Sequence, residues 1–316
     1  MADAATAVGD AARQHARYLW GLCYRMTGSA ADADDLVQET YVRALERPPA
    51  SLDAPLRPWL ASVAMHLSVD HFRRRRRTPY RGVWLPSPIE TENEEAMPSA
   101  EPRLPDGSSA EGRYDLLESV SMAFLLALEA LTPRQRAVLL LRDVFDYSGR
   151  EAADCLGLSE DNIKTLLLRA RRAMAAYEGR RARVTAETRV RAREQLEAFM
   201  GRLVERDAAG LEALLAKDVR VLSDGGGEFH AANVPLIGPR RASTFLLRLL
   251  EIRGAPAGAE IRELNGFPAL VAWYDEAPPH ESPRLTLSLR VGDDGHIAEV
   301  YSSLATRKLT AVRFPA

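Results

Sequence analysis

Cysteine is almost missing: Cys23 and Cys155 are the only two in 316 residues. Each lies inside an apolar helical pattern, with no C-x-x-C and no histidine at ligand spacing. A disulfide framework and a zinc site are therefore not expected, and no other metal or cofactor is expected either. Long apolar runs are missing too. No stretch of eighteen occurs, which excludes a membrane-spanning helix, and the opening Met-Ala-Asp-Ala-Ala-Thr-Ala lacks the basic start and apolar core of a secretion signal. A soluble cytoplasmic protein is expected. Excess charge of either sign is also lacking, since the net is -2 and the pI about 6.4. Spread evenly, that balance would argue against nucleic acid as a partner, but it is not even. Arginines cluster at 73–77 and again from Arg169 to Arg193, while Glu90, Glu92, Glu94, Glu95, Glu101, Asp106 and Glu111 fill the stretch between. Phosphate binding follows such local asymmetry rather than the sum. With 46% hydrophobic residues the chain can bury more than one core, and two or three domains are expected.

What is present begins with Asp32-Ala-Asp-Asp-Leu-Val-Gln-Glu-Thr-Tyr-Val-Arg-Ala44. Ala33, Val37, Tyr41, Ala44 and Leu45 recur at the spacing of one buried helical stripe, and Asp32, Asp35, Gln38 and Glu39 fall elsewhere on the wheel. A second helix runs from about Pro58 through Trp59, Leu60, Val63, Leu67 and Val69 into Arg73, Arg74, Arg75, Arg76 and Arg77. Five adjacent like charges repel one another unless a polyanion lies alongside, so nucleic acid is the natural partner. Taken singly, the acids also read as a solvated helix face and the arginines as a frayed end. Together and in this order they resemble region 2 of the bacterial extracytoplasmic-function sigma factors, with its D-A-E-D-L-V-Q-E-x-[FWY] helix and its W-L helix ending in basic residues. The resemblance implies that Asp35, Gln38 and Glu39 contact core RNA polymerase, and that the helix from Arg57 to Arg77 holds and opens the minus-ten promoter element. His66 stands where many of these factors carry Asn, so a base contact there is not carried over.

Between Thr78 and Gly112 the composition turns to Pro, Ser, Glu and Gly, which cannot bury enough surface to fold alone. An extended acidic linker is expected at 79–112. Its Tyr80-Arg-Gly-Val-Trp-Leu-Pro86 resembles a signature that one subgroup of these factors carries after region 2, and Trp84 is an aromatic worth docking. Helical periodicity resumes at Tyr114, and Thr132-Pro133 opens a further helix. Ser148 to Arg172 has the layout of a helix-turn-helix, with Gly157 at the turn and Ser159 placed to accept from the N–H of Asn162. Ile163, Leu167, Ala170 and Met174 form the inward stripe. Asp161, Lys164, Thr165, Leu168 and Arg172 are left as groove-facing candidates. A plain helical hairpin gives the same periodicity, but with Leu131-Thr-Pro-Arg-Gln-Arg-Ala-Val-Leu-Leu-Leu-Arg142 the segment resembles sigma region 4, which reads the minus-thirty-five element. Asn162 and Leu166 depart from that pattern, and Leu166 removes one phosphate contact.

Beyond Arg193 the pattern changes class. Helices from about Thr188 to Arg206 and ending near Ala216 precede a strand at Asp218–Ser223 and the turn Asp224-Gly-Gly-Gly-Glu228. A helix at about Arg240–Ile252 leads to strands at Ala259–Leu264, Ala269–Asp275, Arg284–Val291 and Ile297–Ser303, with Asp293-Asp-Gly295 as a hairpin signal. This half resembles the SnoaL-like cone, helices with a curved antiparallel sheet, through its D-G-G-G-E turn and Asn265-Gly-Phe-Pro-Ala-Leu270. Ala305-Thr-Arg-Lys-Leu309 departs from the N-P-D-K-L of the subgroup.

The fold class expected is thus multidomain: two all-α sigma domains, a region 2 helical bundle (10–78) and a region 4 helix-turn-helix (113–178), a linker at 179–188, and an α+β SnoaL-like cone (189–316). Core RNA polymerase and promoter DNA are the partners implied, with no membrane. The tail is expected to regulate the sigma half in cis through Trp84, Asp224, Gly225, Gly226 and Gly227. A small-molecule pocket from His230, Trp273, Tyr274 and Tyr301 is the alternative, as sensor or enzyme, and a repressor using only the helix-turn-helix is another. No catalytic residues are expected, because Asp before three glycines is first of all a turn residue.

Overall fold

Capping residues set the helix boundaries. In the computed structural model, which describes residues 2–49, 54–91, 114–181 and 183–315, the chain opens with α1 (Ala2–Gln14), α2 (Ala16–Thr27), α3 (Ala30–Glu46) and α4 (Leu56–Arg75). Gly28 ends α2 in the left-handed region at φ 67°, and the Ser29 hydroxyl then accepts from Asp32 N at 3.3 Å to start α3. The next run is α5 (Met122–Ala127), α6 (Pro133–Asp143), α7 (Gly149–Leu156), α8 (Glu160–Ala173) and the single turn α9 (Ala175–Glu178). Reciprocal capping boxes, Thr132 with Gln135 and Ser148 with Glu151, open α6 and α7, each cap stabilising its helix by about 1 kcal/mol. Gly157 supplies the positive φ of 61° at the turn before α8, where Asn162 N donates to Ser159.

Two compact units result, one of residues 2–79, 114–120 and 124–179, the other of residues 80–91, 121–123 and 180–315. In the first, Leu19, Leu22, Cys23 and Met26 of α2 and Leu60, Ala64 and Phe72 of α4 are fully buried, as are Val138 to Leu141 of α6. Cys23 and Cys155 are both free, and burial pushes each thiol up to about 12, which makes them apolar filling rather than nucleophiles. One sequence expectation needs correction here. Leu45 is not on the buried stripe of α3, which runs Ala33, Leu36, Val37, Thr40, Ala44; it is 48% exposed. One residue past Ala44 is a turn of 100°, enough to leave the stripe.

The second unit contains α10 (Ala186–Val204), α11 (Ala208–Leu214), β1 (Leu215–Asp224), β2 (Leu236–Ile237), α12 (Pro239–Arg253), β3 (Gly258–Leu264), β4 (Phe267–Trp273), β5 (Arg284–Val291) and β6 (Ile297–Ser303). The six strands lie in the order β2-β1-β6-β5-β4-β3, and neighbours run antiparallel except β1 with β6. That parallel pair makes the sheet mixed rather than purely antiparallel. Alternate residues on one face, among them Val219, Val221, Leu270, Ala272, Leu287, Leu289 and Val300, pack on Leu196 and Phe199 of α10, Leu211 of α11 and Leu246 of α12 to form the core. The segment expected as an open acidic linker behaves differently where it is described. Residues 80–91 pack as part of this second unit; the remainder, with Glu92 to Glu111, lies outside the described residues.

Candidate nucleic-acid and partner interfaces

On α3, Asp35, Gln38 and Glu39 are exposed, as the wheel predicts, and Glu39 is tied to Arg43 at 2.8 Å one turn on. Val42 and Leu45 continue the same face at 49% and 48% exposure. Sequence reading missed them as surface residues because apolar side chains at helical spacing are assigned to a core. Acids and amide for hydrogen bonding beside bare aliphatics make a face suited to a protein partner.

The basic end of α4 is only partly free. Arg73 pairs with Asp70 at 2.8 Å, and Arg73, Arg74, Arg76 and Arg77 are exposed. Arg75 instead forks onto Glu129 at 2.9 and 2.7 Å and donates to Thr27 O at 2.6 Å. Arg76 donates to the carbonyls of Leu131 and Glu129 at 3.1 and 3.2 Å. Glu129 also takes Arg136 at 2.6 Å, a guanidinium with no exposure that further donates to Met26 O and Leu128 O and lies 4.2 Å from the Phe72 ring centre. Burial lowers Arg136 to about 10, with Glu129 acting in opposition. Burial alone would raise Glu129, but the Arg136 and Arg75 charges outweigh it and hold the carboxyl below its ordinary value. A second buried arginine, Arg25, donates to Ser119 Oγ at 2.7 Å and to the carbonyls of Gly21 and Leu116. Tyr18 and Tyr147 share a 2.6 Å hydroxyl contact, and Ser62 of α4 donates to Cys155 O of α7 at 2.7 Å. Residues of α2 and α4 and residues of α6 and α7 therefore fold on each other inside one unit; Arg75 is half-buried there, while Arg76 stays exposed though bonded.

Along α4 a cavity of about 340 Å³ is lined by Arg43, Arg47, Trp59, Ser62, His66 and Asp70. Its aromatic wall and two cations suit an unstacked base with its phosphate. His66 is held by its Nδ1 against Ser62 O at 2.8 Å. Arg43 and Arg47 escaped the sequence reading, which named Trp59 only as part of the helix and gave it no contact. On α8, Ile163, Ala170 and the following Met174 are buried, Leu167 is half-buried, and Asp161, Lys164, Thr165, Leu168 and Arg172 are exposed as expected, Leu168 at 53%. Lys164 is paired to Asp161 at 3.2 Å, and Arg171 is withdrawn onto buried Asp143 at 2.6 Å, so Arg172 is left outward.

In the second unit the strap of residues 80–91 converges on one buried carboxylate. Asp224, with no exposure, accepts from Tyr80 Oη at 2.6 Å, Leu85 N at 2.8 Å and Gly226 N at 2.9 Å. Its own carbonyl takes Leu304 N and Ala305 N. Lys308, 6% exposed, donates to Leu85 O and sits 4.2 Å from the Trp84 ring centre and 3.8 Å from Asp224. Gly226 is left-handed at φ 63°, and a Cβ there would come within 2.7 Å of Ala305 Cβ. Farther along, Ile89 and Thr91 bond the edge of β3 through Asn265 and Glu263, and Glu90 is held by Arg262 at 3.0 Å and Arg313 at 2.6 Å. Burial would raise Glu90, but the hydrogen bonds from Arg313 and Arg262 prevail and lower it. Asn265 and Lys308 entered the sequence reading only inside longer motifs and Arg313 not at all, since nothing local marks a residue as a partner for one two hundred positions away.

Among the described residues, His230, Trp273, Tyr274 and Tyr301 are not brought together around one cavity: Tyr301 lines a cavity of about 140 Å³ with Asn265, Ser288 and Arg290. Trp273 ends β4 over Gly258, and Tyr274, the next residue, stacks under Arg253 at 4.7 Å. Tyr301 is buried and donates to Glu299; burial and that carboxylate push it well above the ordinary phenol range. His230 lines a separate cavity, beside the Asp224 turn. Among the described residues no group of three or more His, Cys, Asp or Glu side chains is placed to hold a metal, and no helix is long and apolar enough to cross a membrane.

Two stretches of the chain match known protein families. Residues 11–78 match the Sigma-70 region 2 family and residues 121–174 the Sigma-70, region 4 family. The ECF RNA polymerase sigma factor SigJ of Mycobacterium tuberculosis is 30% identical over 247 residues, 78% of this chain and 73% of that protein. The probable ECF RNA polymerase sigma factor SigI of the same organism is 29% identical over 277 residues, covering 85% and 86% of the two chains. The crystal structure of the Mycobacterium tuberculosis extracytoplasmic function sigma factor SigJ aligns with a TM-score of 0.71 at 25% identity, over 95% of this chain and 96% of that one. Both similarities to SigJ extend past the two sigma regions into the C-terminal half.

Proposed function

The chain belongs to the extracytoplasmic-function RNA polymerase sigma factors, and we propose that it engages core polymerase through the α3 face of Asp35, Gln38, Glu39, Val42 and Leu45. It directs promoter-specific initiation: α4 holds the minus-ten element, with an unstacked base against Trp59, and α8 reads the minus-thirty-five element through Lys164, Thr165, Leu168 and Arg172. Asp161 lies at the start of the same face. The protein transfers no group itself; its output is where polymerase starts.

The observation that carries the regulatory part of this reading is the engagement of Arg75 and Arg76 by Glu129 and Leu131. Two of the five arginines expected on promoter phosphate are bonded to residues beyond α4, at Glu129 and Leu131, so the described arrangement is a closed one that must open on polymerase. The C-terminal domain acts in cis through the strap, because residues 80–91 leave α4 by way of Thr78 and Pro79 and are bound to Asp224, Lys308 and Glu263. Holding or releasing the strap changes the chain length free to let α4 and region 4 separate. Run-off transcription with core polymerase tests this reading. The full chain should initiate at its promoter, Asp35→Ala with Gln38→Ala should abolish stimulation, and Asp224→Ala should change output while leaving core binding intact. Equal output from all three forms would refute it.

A further inference from the structure

Beside the Asp224 turn lies a cavity of about 460 Å³ that neither the sigma regions nor the strap contacts explain. Its charged and polar walls are Arg81, Glu228, His230, Asn233 and His280, with the bare backbone of Gly227 as floor. Glu228 keeps its charge but turns both oxygens onto Thr306, accepting from Thr306 N at 3.1 Å and Thr306 Oγ1 at 2.6 Å. A second acid, Glu281, is buried at 7% and holds Arg253 at 2.9 Å on one oxygen, with His230 Nδ1 at 3.2 Å from the other. The rings of His230 and His280 are 5.4 Å apart, and His230 N donates to His280 O at 2.8 Å. His280 adopts φ 64°, a left-handed backbone that a non-glycine residue takes at a cost, and that conformation sets its ring beside His230. Arg81 is exposed and pairs with no carboxylate among the described residues; its stem crosses Gly227, where a Cβ would come within 3.0 Å of Arg81 Cδ.

We propose that this cavity binds a small organic anion, a carboxylate or a phosphate monoester, between the Arg81 guanidinium, the imidazoles of His230 and His280 and the Asn233 amide. Guanidinium forks match carboxylate and phosphate oxygens in pairs, and imidazole and amide N–H groups supply further donors. Arg81 follows Tyr80, the residue that donates to Asp224, so an anion on Arg81 pins the start of the strap to the glycine turn. The occupant thereby acts on the strap without touching either sigma region, which makes the site a metabolite input rather than an active site.

The test uses the full chain and two probes, inorganic phosphate and acetate, at constant ionic strength with chloride as balance. Histidine ring signals are followed by NMR, with exposed His296, whose ring pairs with Asp294 away from the cavity lining, as control. At least one probe should shift His230 and His280 saturably and slow hydrogen exchange in residues 80–85. Arg81→Ala should raise the midpoint at least ten-fold, while Arg81→Lys retains part of the affinity. Saturation by phosphate alone assigns a phosphate monoester, and saturation by acetate assigns a carboxylate. Linear shifts equal to those of His296 with both probes, or a midpoint unchanged by Arg81→Ala, overturn the proposal.

Discussion

Removing the Glu129 carboxylate should open the first unit, and the size of the effect follows from what it leaves behind. Arg136 has no exposure and keeps only the carbonyls of Met26 and Leu128 once Glu129 is gone. Breaking a buried ion pair by deleting one partner costs about 3 to 5 kcal/mol, because the other charge stays desolvated. With two carbonyls still accepting, the low end applies, about 3 kcal/mol, which corresponds to roughly a hundred-fold in an opening equilibrium. Native-state hydrogen exchange on full-length Glu129→Ala reads it directly in the amides of α6, whose residues Ala137 to Leu141 are fully buried. Exchange there should accelerate about a hundred-fold. The double variant Glu129→Ala with Arg136→Met removes both charges, keeps a side chain of similar length, and should recover most of the loss. Arg75 is released in both variants, so promoter affinity with core polymerase should rise in both. If α6 exchange changes less than three-fold in Glu129→Ala, or if the double variant is no more protected than the single one, the buried triad does not hold the unit closed.

The same carboxylate gives a pH dependence. Glu129 sits below its ordinary value in the folded protein, so its stabilisation is complete above the unfolded value of about 4.3 and fades as pH falls through the folded one; α6 protection should decline in acid for the parent chain and not for the double variant. Gly226→Val combines a forced left-handed backbone with a clash against Ala305 Cβ, and should cost about 1 to 2 kcal/mol in the C-terminal unit while speeding exchange in residues 80–91, as measured by mass spectrometry. Lys164→Ala and Arg172→Ala should each weaken promoter binding and flatten its salt dependence by about one unit, whereas Thr165→Ala should alter base preference at unchanged slope; filter binding across a salt series separates the two.

Sequence alone settled what is local. Thr132 and Ser159, read as helix starts, do open α6 and α8, and Ser29 and Ser148 cap α3 and α7 by the same local rule. The 3.6-residue period put Ile163 and Ala170 inward and Lys164, Thr165 and Leu168 outward on α8, and period-two alternation located five strands of the cone but missed β2, whose two residues are too short to show a period. Capping and periodicity are decided within one or two turns of chain, so they are written in neighbouring residues. Partner choice over long separations is not. That Arg75 bonds Glu129, that Tyr80 and Lys308 meet at Asp224, and that β1 runs parallel to β6 depend on which surfaces the packed elements bring together. An arginine in a run of five looks the same whether it meets a phosphate or a carboxylate, and an aspartate before three glycines looks the same whether its side chain faces water or closes a strap. Burial decides between them, because a charge removed from water must find its counterpart wherever the fold places one.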